Sequence, residues 1–399
     1  MKFLLLSLPA IAGAQEPSPL PESPPSRLAI DAEVYLSLRD IEGPGGTGHD
    51  SITDTRTIGT RSPVATLDFA SLRARRREGG LEWGLELGLT SSSANIHEAW
   101  ITGEVAGEWQ LEWEVGHLQP IAAPRETRAR ESLAYRAFWS GREEHLAASV
   151  SREAGGVAFT VEGSLAMARP ISSTPLNDGG GEEGTLALIS YGEAHPFSGN
   201  LPVGAGAVTV EAGPLSLESF LFVGSLSDQY GAHELSNRIS NYDELPNDGG
   251  ERTLYLAGGR FGLNLERAAL TLEGMQSGEG LLQRRFALVE LRGDLPGAMG
   301  CERLEPWVRF EQQQILDADA PLSDGSTLRQ SATAHAVTWD WRVASGGLSA
   351  FWRDRKVGLH LLVALIGETT GDESPGSEHP LLNQQFANNE TTMQLELRF

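Results

Sequence analysis

Arginine and glutamate are the residues of this chain best suited to chemistry, and their spacing decides what kind. Arg125, Arg128, Arg130 and Arg136 form the densest basic cluster, interleaved with Glu126 and Glu131. Guanidinium forks bind anions bidentately, so at a narrow point of a pore such a cluster would set the field felt by a passing ion. The adjacent glutamates cancel much of that field, and a mixed-charge loop is the competing reading. Arg73, Arg75, Arg76 and Arg77 make a second run, broken only by Ala74. After the apolar Leu67 and Phe69, its expected place is solvent or a layer of lipid headgroups. Glu82, Glu86, Glu112, Glu114, Arg309 and Arg342 lie within alternating segments, where they are candidates for lining a lumen. Arg309 with Glu305 and Glu311, and Arg398 with Glu396, are spaced for charge ladders. Such ladders serve a structural end equally well, because charges inside a barrel are paired against the cost of desolvation.

Other chemistry is poorly represented. The chain has no G-x-S-x-G elbow, no complete phosphate loop and no H-E-x-x-H. Gly204-Ala205-Gly206 lacks the third glycine of a dinucleotide fingerprint and is expected between short strands. The histidines show no metal spacing, and His145 beside Glu143-Glu144 reads as an exposed loop residue. Asp178, Glu182 and Glu183 could gather Ca²⁺ or bridge it to lipopolysaccharide, although a charge run is usually just solvated. The single cysteine, Cys301, excludes an internal disulfide framework and a cysteine-rich metal site. With 54 acidic against 31 basic residues the formal charge is -23, which opposes nucleic-acid binding. The expectation is a chain with no catalytic, cofactor or metal residues, and no enzyme.

The elements that must position these charges have a period of two. Leu81, Trp83, Leu85, Leu87 and Leu89 alternate with polar residues or glycine, as do Trp109, Leu111, Trp113 and Val115. Val337, Trp339, Trp341 and Val343 repeat the pattern, and Met393, Leu395, Leu397 and Phe399 close the chain with it. A strand keeps such faces apart, whereas a helix scrambles them. The 46 glycines and 21 prolines punctuate 399 residues into roughly sixteen to eighteen candidate strands. Some spacers are short and some are long, which fits a barrel with turns at one end and loops at the other. Tryptophans on the apolar face suggest an aromatic belt facing lipid. A soluble β-sandwich or solenoid would also alternate, so a secreted structural β protein stays open, as does a barrel-type enzyme. At the N-terminus, Met1-Lys2, a short apolar run and Ala12-Gly13-Ala14 read as a cleaved signal peptide over 1–14. Residues 15–27 form a proline-rich periplasmic tail, and 28–399 a single outer-membrane barrel. No later stretch reaches the ~18 apolar residues of a membrane-spanning helix.

The closing strand, ending on Phe399, resembles the targeting signal of bacterial outer-membrane barrels, which the barrel-assembly machinery reads. The resemblance narrows at Val115-Gly116-His117-Leu118-Gln119-Pro120 and the following Arg125 to Phe138, at Glu305-Pro306-Trp307-Val308-Arg309-Phe310-Glu311, and at the close from Asn388 to Phe399. These segments are similar to the phosphate-selective porin O and P family. Membership would imply an antiparallel transmembrane β-barrel of sixteen strands (eighteen is the other even count) and a homotrimer. An inward-folded loop would narrow the pore, with passage for anions or phosphate. This chain departs from the family in carrying one mature lysine, Lys356, and more inward glutamates than arginines. The expected function is therefore a general porin for small hydrophilic solutes, set in outer-membrane lipid and lipopolysaccharide.

Overall fold

Among the described residues alternation becomes strand, and the long strands pair in chain order and close on themselves. The structure, a computed structural model, describes residues 28–41, 64–90, 94–124, 131–167, 171–174, 188–191, 202–225, 253–279, 282–297, 300–316, 340–369 and 389–399. In chain order the strands are β1 (Leu28–Ile41), β2 (Val64–Glu78), β3 (Leu81–Leu89), β4 (Ala94–Val105), β5 (Gln110–Leu118), β6 (Glu143–Ala154) and β7 (Val157–Met167). Two short ones, β8 (Ile171–Thr174) and β9 (Leu188–Tyr191), pair only with each other. The series continues with β10 (Pro202–Ala212), β11 (Leu215–Ser225), β12 (Thr253–Leu265), β13 (Ala268–Glu279), β14 (Leu282–Gly293) and the two-residue β15 (Leu295–Pro296). It ends with β16 (Arg303–Leu316), β17 (Asp340–Trp352), β18 (Val357–Thr369) and β19 (Glu390–Arg398). Setting aside β8, β9 and β15 leaves sixteen antiparallel strands, closed where β19 pairs with β1 from Glu33↔Arg398 to Ile41↔Glu390. The expected all-β, sixteen-stranded barrel is what forms. Closure pairs each of the sixteen barrel strands on both sides and leaves the barrel no edge.

Tight turns gather at the end that holds Leu28 and Phe399. At Gly155 (φ 61°) and Gly156 (φ 78°) both central residues adopt the left-handed conformation that a two-residue hairpin needs. At the opposite end the strands stop on either side of long intervals of sequence, 42–63, 226–252, 317–339 and 370–388, which lie outside the described residues. This asymmetry is that of outer-membrane barrels.

The sheet is apolar outside and charged inside, the reverse of a soluble protein. Leu36, Leu72, Trp83, Ile101, Leu146, Phe159, Leu217, Val289, Phe310 and Leu361 are all exposed on the outer wall. Glu86, Glu273, Glu305, Arg309, Glu311 and Glu396 are buried on the inner one. A soluble sandwich would bury the apolar set, so the soluble structural reading falls. An apolar belt of this extent is suited to lipid.

Two expectations about faces are corrected. Trp341 and Val343 point inward and are buried, while Arg342 between them is exposed on the outer wall. Near the loop end, the inner side of β17 packs into the apolar cluster that contains Leu133, Phe138 and Trp139 of the folded-in loop. The polarity of the two faces therefore inverts there. Val337 and Trp339 lie outside the described residues. Gly204-Ala205-Gly206, expected between strands, lies inside β10.

Candidate functional site

The connection from β5 to β6 turns into the barrel and divides its interior. Its first arm, Pro120 to Ala123, is closed by an Ala123 N–H to Pro120 carbonyl bond of 3.2 Å. Its second arm ends in a π-helical turn, Tyr135–Trp139, whose Ala137, Phe138 and Trp139 are fully buried. Trp139 meets Phe220 at 5.2 Å and Phe222 at 5.7 Å between ring centres, both edge-on. Leu254, Leu256, Met275, Phe286, Leu288, Ile315 and Trp341 complete an apolar core between this loop and the β10–β18 wall. Beside β10–β18 the lumen near the loop end is thus packed with apolar side chains.

Polar anchors hold the loop in register. The Leu133 N–H donates to Glu311 Oε1 of β16 at 2.7 Å. Gln119 donates to the Tyr135 hydroxyl at 2.6 Å, and Arg142 to Glu98 of β4 at 3.1 Å. Arg260 of β12 reaches the Ala122 carbonyl at 3.4 Å while also pairing with Glu218 at 2.5 Å. Fully buried Arg284 pairs with Glu279 at 2.5 Å, stacks on Phe138 at 4.5 Å, and so couples the π-turn to the Tyr191 hydroxyl, which also donates to Glu279.

What remains open is a passage between the first loop arm and the β2–β7 wall. Antiparallel register sets its charges in rows. Glu104 and Glu112 face each other directly across β4 and β5, and Ser149 separates Glu112 from Glu162 of β7. One row nearer the loop, Thr102 separates Glu82 of β3 from Glu114 of β5. Glu104 pairs with Arg77, and Glu114 accepts from His145 at 2.9 Å. Among the described residues Glu82 has no ion-pair partner, and Glu112 accepts only the Gln110 amide at 2.8 Å. Like charges on neighbouring strands repel unless mobile cations screen them. Among the described residues that line the passage, carboxylates outnumber arginines.

The sequence candidates divide accordingly. Glu82, Glu86, Glu112 and Glu114 all face inward, with Glu86 buried against Arg73, whose Nε donates to it at 2.8 Å. Arg309 also faces inward, but it is buried and committed to Glu290 at 2.6 Å, with Glu311 at 3.8 Å. Arg398 and Glu396 pair at 2.5 Å, as the ladder reading expects. Glu305 pairs with Arg303 and Arg355, each at 3.1 Å, instead of Arg309. Arg342 is not in the lumen at all. Arg136 sits in the π-turn, 3.7 Å from Glu131. Arg125, Arg128 and Arg130 lie outside the described residues, as do Asp178, Glu182 and Glu183.

Two further readings are overturned. Because β2 continues past its apolar stretch, Arg73, Arg75 and Arg77 keep the inward parity, opposite Glu86, Gly84 and Glu82. Only Arg76, paired with Glu78 at 3.1 Å, keeps the expected outward place at the turn end. His145 is not an exposed loop residue but the third residue of β6, completely buried beneath the loop. The loop cover that buries it has no local signature.

Solved structures share this architecture. The outer-membrane channel DcaP of Acinetobacter baumannii matches with a TM-score of 0.54 at 12% identity, covering 94% of this chain and 97% of that one. An anion-selective porin from Comamonas acidovorans matches with a TM-score of 0.51 at 14% identity, covering 94% and 99%. A trimer form of OmpT, an outer membrane protein of Vibrio cholerae, matches with a TM-score of 0.50 at 8% identity, covering 94% and 99%. The chain has the porin fold. No family model and no curated protein matches the sequence itself.

Within this porin fold Trp100 lies flat on the inner wall, and Gly84 makes room for it. A Cβ at Gly84 would come within 2.1 Å of the Trp100 ring. Gly84→Ala is expected to push the indole into the passage and lower single-channel conductance while leaving barrel stability near wild type. An unchanged conductance would place the indole outside the ion path.

Proposed function

We propose that this protein is an outer-membrane porin through which small hydrophilic solutes diffuse passively, with a preference for cations. The observation that carries the reading is the carboxylate rows of the passage, above all Glu82 and Glu112, which form no ion pair among the described residues. Acidic walls in a narrow, low-dielectric channel concentrate cations and repel anions. The resemblance to phosphate-selective porins supports the architecture and a homotrimeric assembly, and the OmpT match is itself a trimer form. Residues 1–14 then serve as a cleaved export signal and 15–27 as a periplasmic tail.

A second reading, anion or phosphate passage, is favoured by the inward arginine column of β2. Single-channel recording in a planar bilayer under a salt gradient separates the two. A reversal potential of cation-selective sign supports the first reading and one of anion-selective sign the second; folded, inserted protein without conductance defeats both.

Phe399 is proposed as the signal for the assembly machinery. Its backbone closes on Ala32 of β1 by bonds of 2.9 and 3.3 Å, yet its side chain is exposed. Phe399→Ala is expected to reduce outer-membrane insertion in cells several-fold while leaving refolding into detergent intact. Equal loss in both assays would make the residue structural.

A further inference from the structure

The outer wall is apolar almost throughout, and two arginines near the loop end break the rule. Arg285 of β14 and Arg342 of β17 both point outward near the loop end, and both are exposed. Neither makes an ion pair among the described residues. The strand between them, β16, presents Gln312 and Gln314 on the same outer face. Gln314 stands directly opposite Arg285, and Gln312 directly opposite Arg342. With two strand spacings and a two-residue offset, the arginine Cα atoms are about 12 Å apart. Among the described residues the nearest outward acid, Asp340, is engaged by the backbone N–H of Ile315 at 2.8 Å. The four polar residues thus form a cationic, hydrogen-bonding plateau on the outer wall, on the loop-end side of its apolar belt.

A second feature lies on the same strands. Immediately toward the turn end, the outer wall of β14–β18 is indented into an open apolar groove. Val289, Val308, Phe310, Val363 and Leu365 form its sides, and the small residues Ala344 and Gly346 its floor. Large side chains would fill this depression, and their absence leaves room for chains lying along the wall. Elsewhere outward charge is paired across the rim, as in Arg76 with Glu78 or His117 with Glu144.

We propose that Arg285, Arg342, Gln312 and Gln314, with the groove beneath them, seat one lipopolysaccharide molecule of the outer leaflet. The occupant follows from the geometry. Two separated guanidinium groups at the leaflet surface fit a headgroup bearing two phosphates on the ends of a disaccharide, and a single-phosphate lipid engages only one of them. Guanidinium forks bind phosphate bidentately, and amides satisfy the intervening hydroxyl and acyl oxygens. The acyl chains lie in the groove, where flat apolar contact replaces loosely packed lipid. This seat is independent of what passes through the lumen.

The test is native mass spectrometry of the refolded full chain in detergent, titrated separately with bisphosphorylated lipid A, its monophosphorylated form and phosphatidylglycerol. Bisphosphorylated lipid A is expected to be retained most tightly. R285A and R342A should each weaken its retention by about tenfold, the effect of losing a charge-assisted hydrogen bond. A344W, which fills the groove floor, should weaken it without touching a charge. R267A, at the turn end, should leave it unchanged. Heat-modifiable gel mobility establishes that each variant is folded. Equal retention of phosphatidylglycerol overturns the choice of lipid, and undiminished retention by the folded R285A/R342A double variant overturns the site.

Discussion

Replacing Glu82, Glu112 and Glu114 together with glutamine is expected to bring the reversal potential in a salt gradient close to zero. A monovalent ion passing about 6 Å from one carboxylate in a water-like medium gains about 0.7 kcal/mol, and screening at 0.1 M salt roughly halves this. The cation gains what the anion loses, so each exposed carboxylate contributes about a threefold preference. The effects of neighbouring groups along one path compound, and three removed charges make this the largest functional change expected of any inward substitution. Glutamine keeps the volume and the hydrogen-bonding reach, so the barrel wall is not disturbed. Glu114 also accepts from buried His145, and the Glu82/Glu112 double variant separates the field from that contact. A matching change of Glu78, exposed on the outward side at the turn end, should shift the potential little. If the triple variant keeps the wild-type potential, the carboxylate rows are not in the ion path and the cation reading fails.

Trp139→Ala is expected to free the inward loop without unfolding the barrel. The side chain is fully buried and packs edge-on against Phe220 and Phe222. Truncating such a residue costs about 3–5 kcal/mol. That loss falls on loop docking, because sixteen closed ladders hold the wall independently. The anchors that remain, Leu133 to Glu311 and Arg142 to Glu98, are a few hydrogen bonds of modest net worth. Single-channel records should show higher, fluctuating conductance, and liposome swelling should admit larger sugars. The thermal midpoint of the barrel should move little. Conductance and size limit equal to wild type would show that this loop does not form the constriction.

The barrel was legible in the sequence because its code is local. Alternation of period two, as in Leu81 to Leu89 or Leu111 to Val115, assigns faces residue by residue, and glycine-rich turns mark the hairpins. The inward places of Glu82, Glu86, Glu112 and Glu114 followed from that parity alone. Parity also placed Arg309 inward, although its commitment to Glu290 depends on which strands adjoin. Strand count, closure and the inward loop agreed with the resemblance carried by the segments around Pro120, Pro306 and Phe399.

Tertiary structure decided which side of the wall is dry at each height. Alternation states that two faces differ, not that the apolar one meets lipid. Around Trp341 the apolar face meets the packed loop instead, so Arg342 turns outward. Arg73, Arg75 and Arg77 resembled a headgroup-level run because the sequence does not show that β2 extends to Glu78 with its parity intact. His145 is buried just after the inward loop, and Arg284, far along the chain, is recruited to the π-turn by that loop's return into the barrel. Local periodicity sets the strands; the loop's return into the barrel sets where water, ions and lipid can reach, because burial is a property of the neighbours and not of the residue.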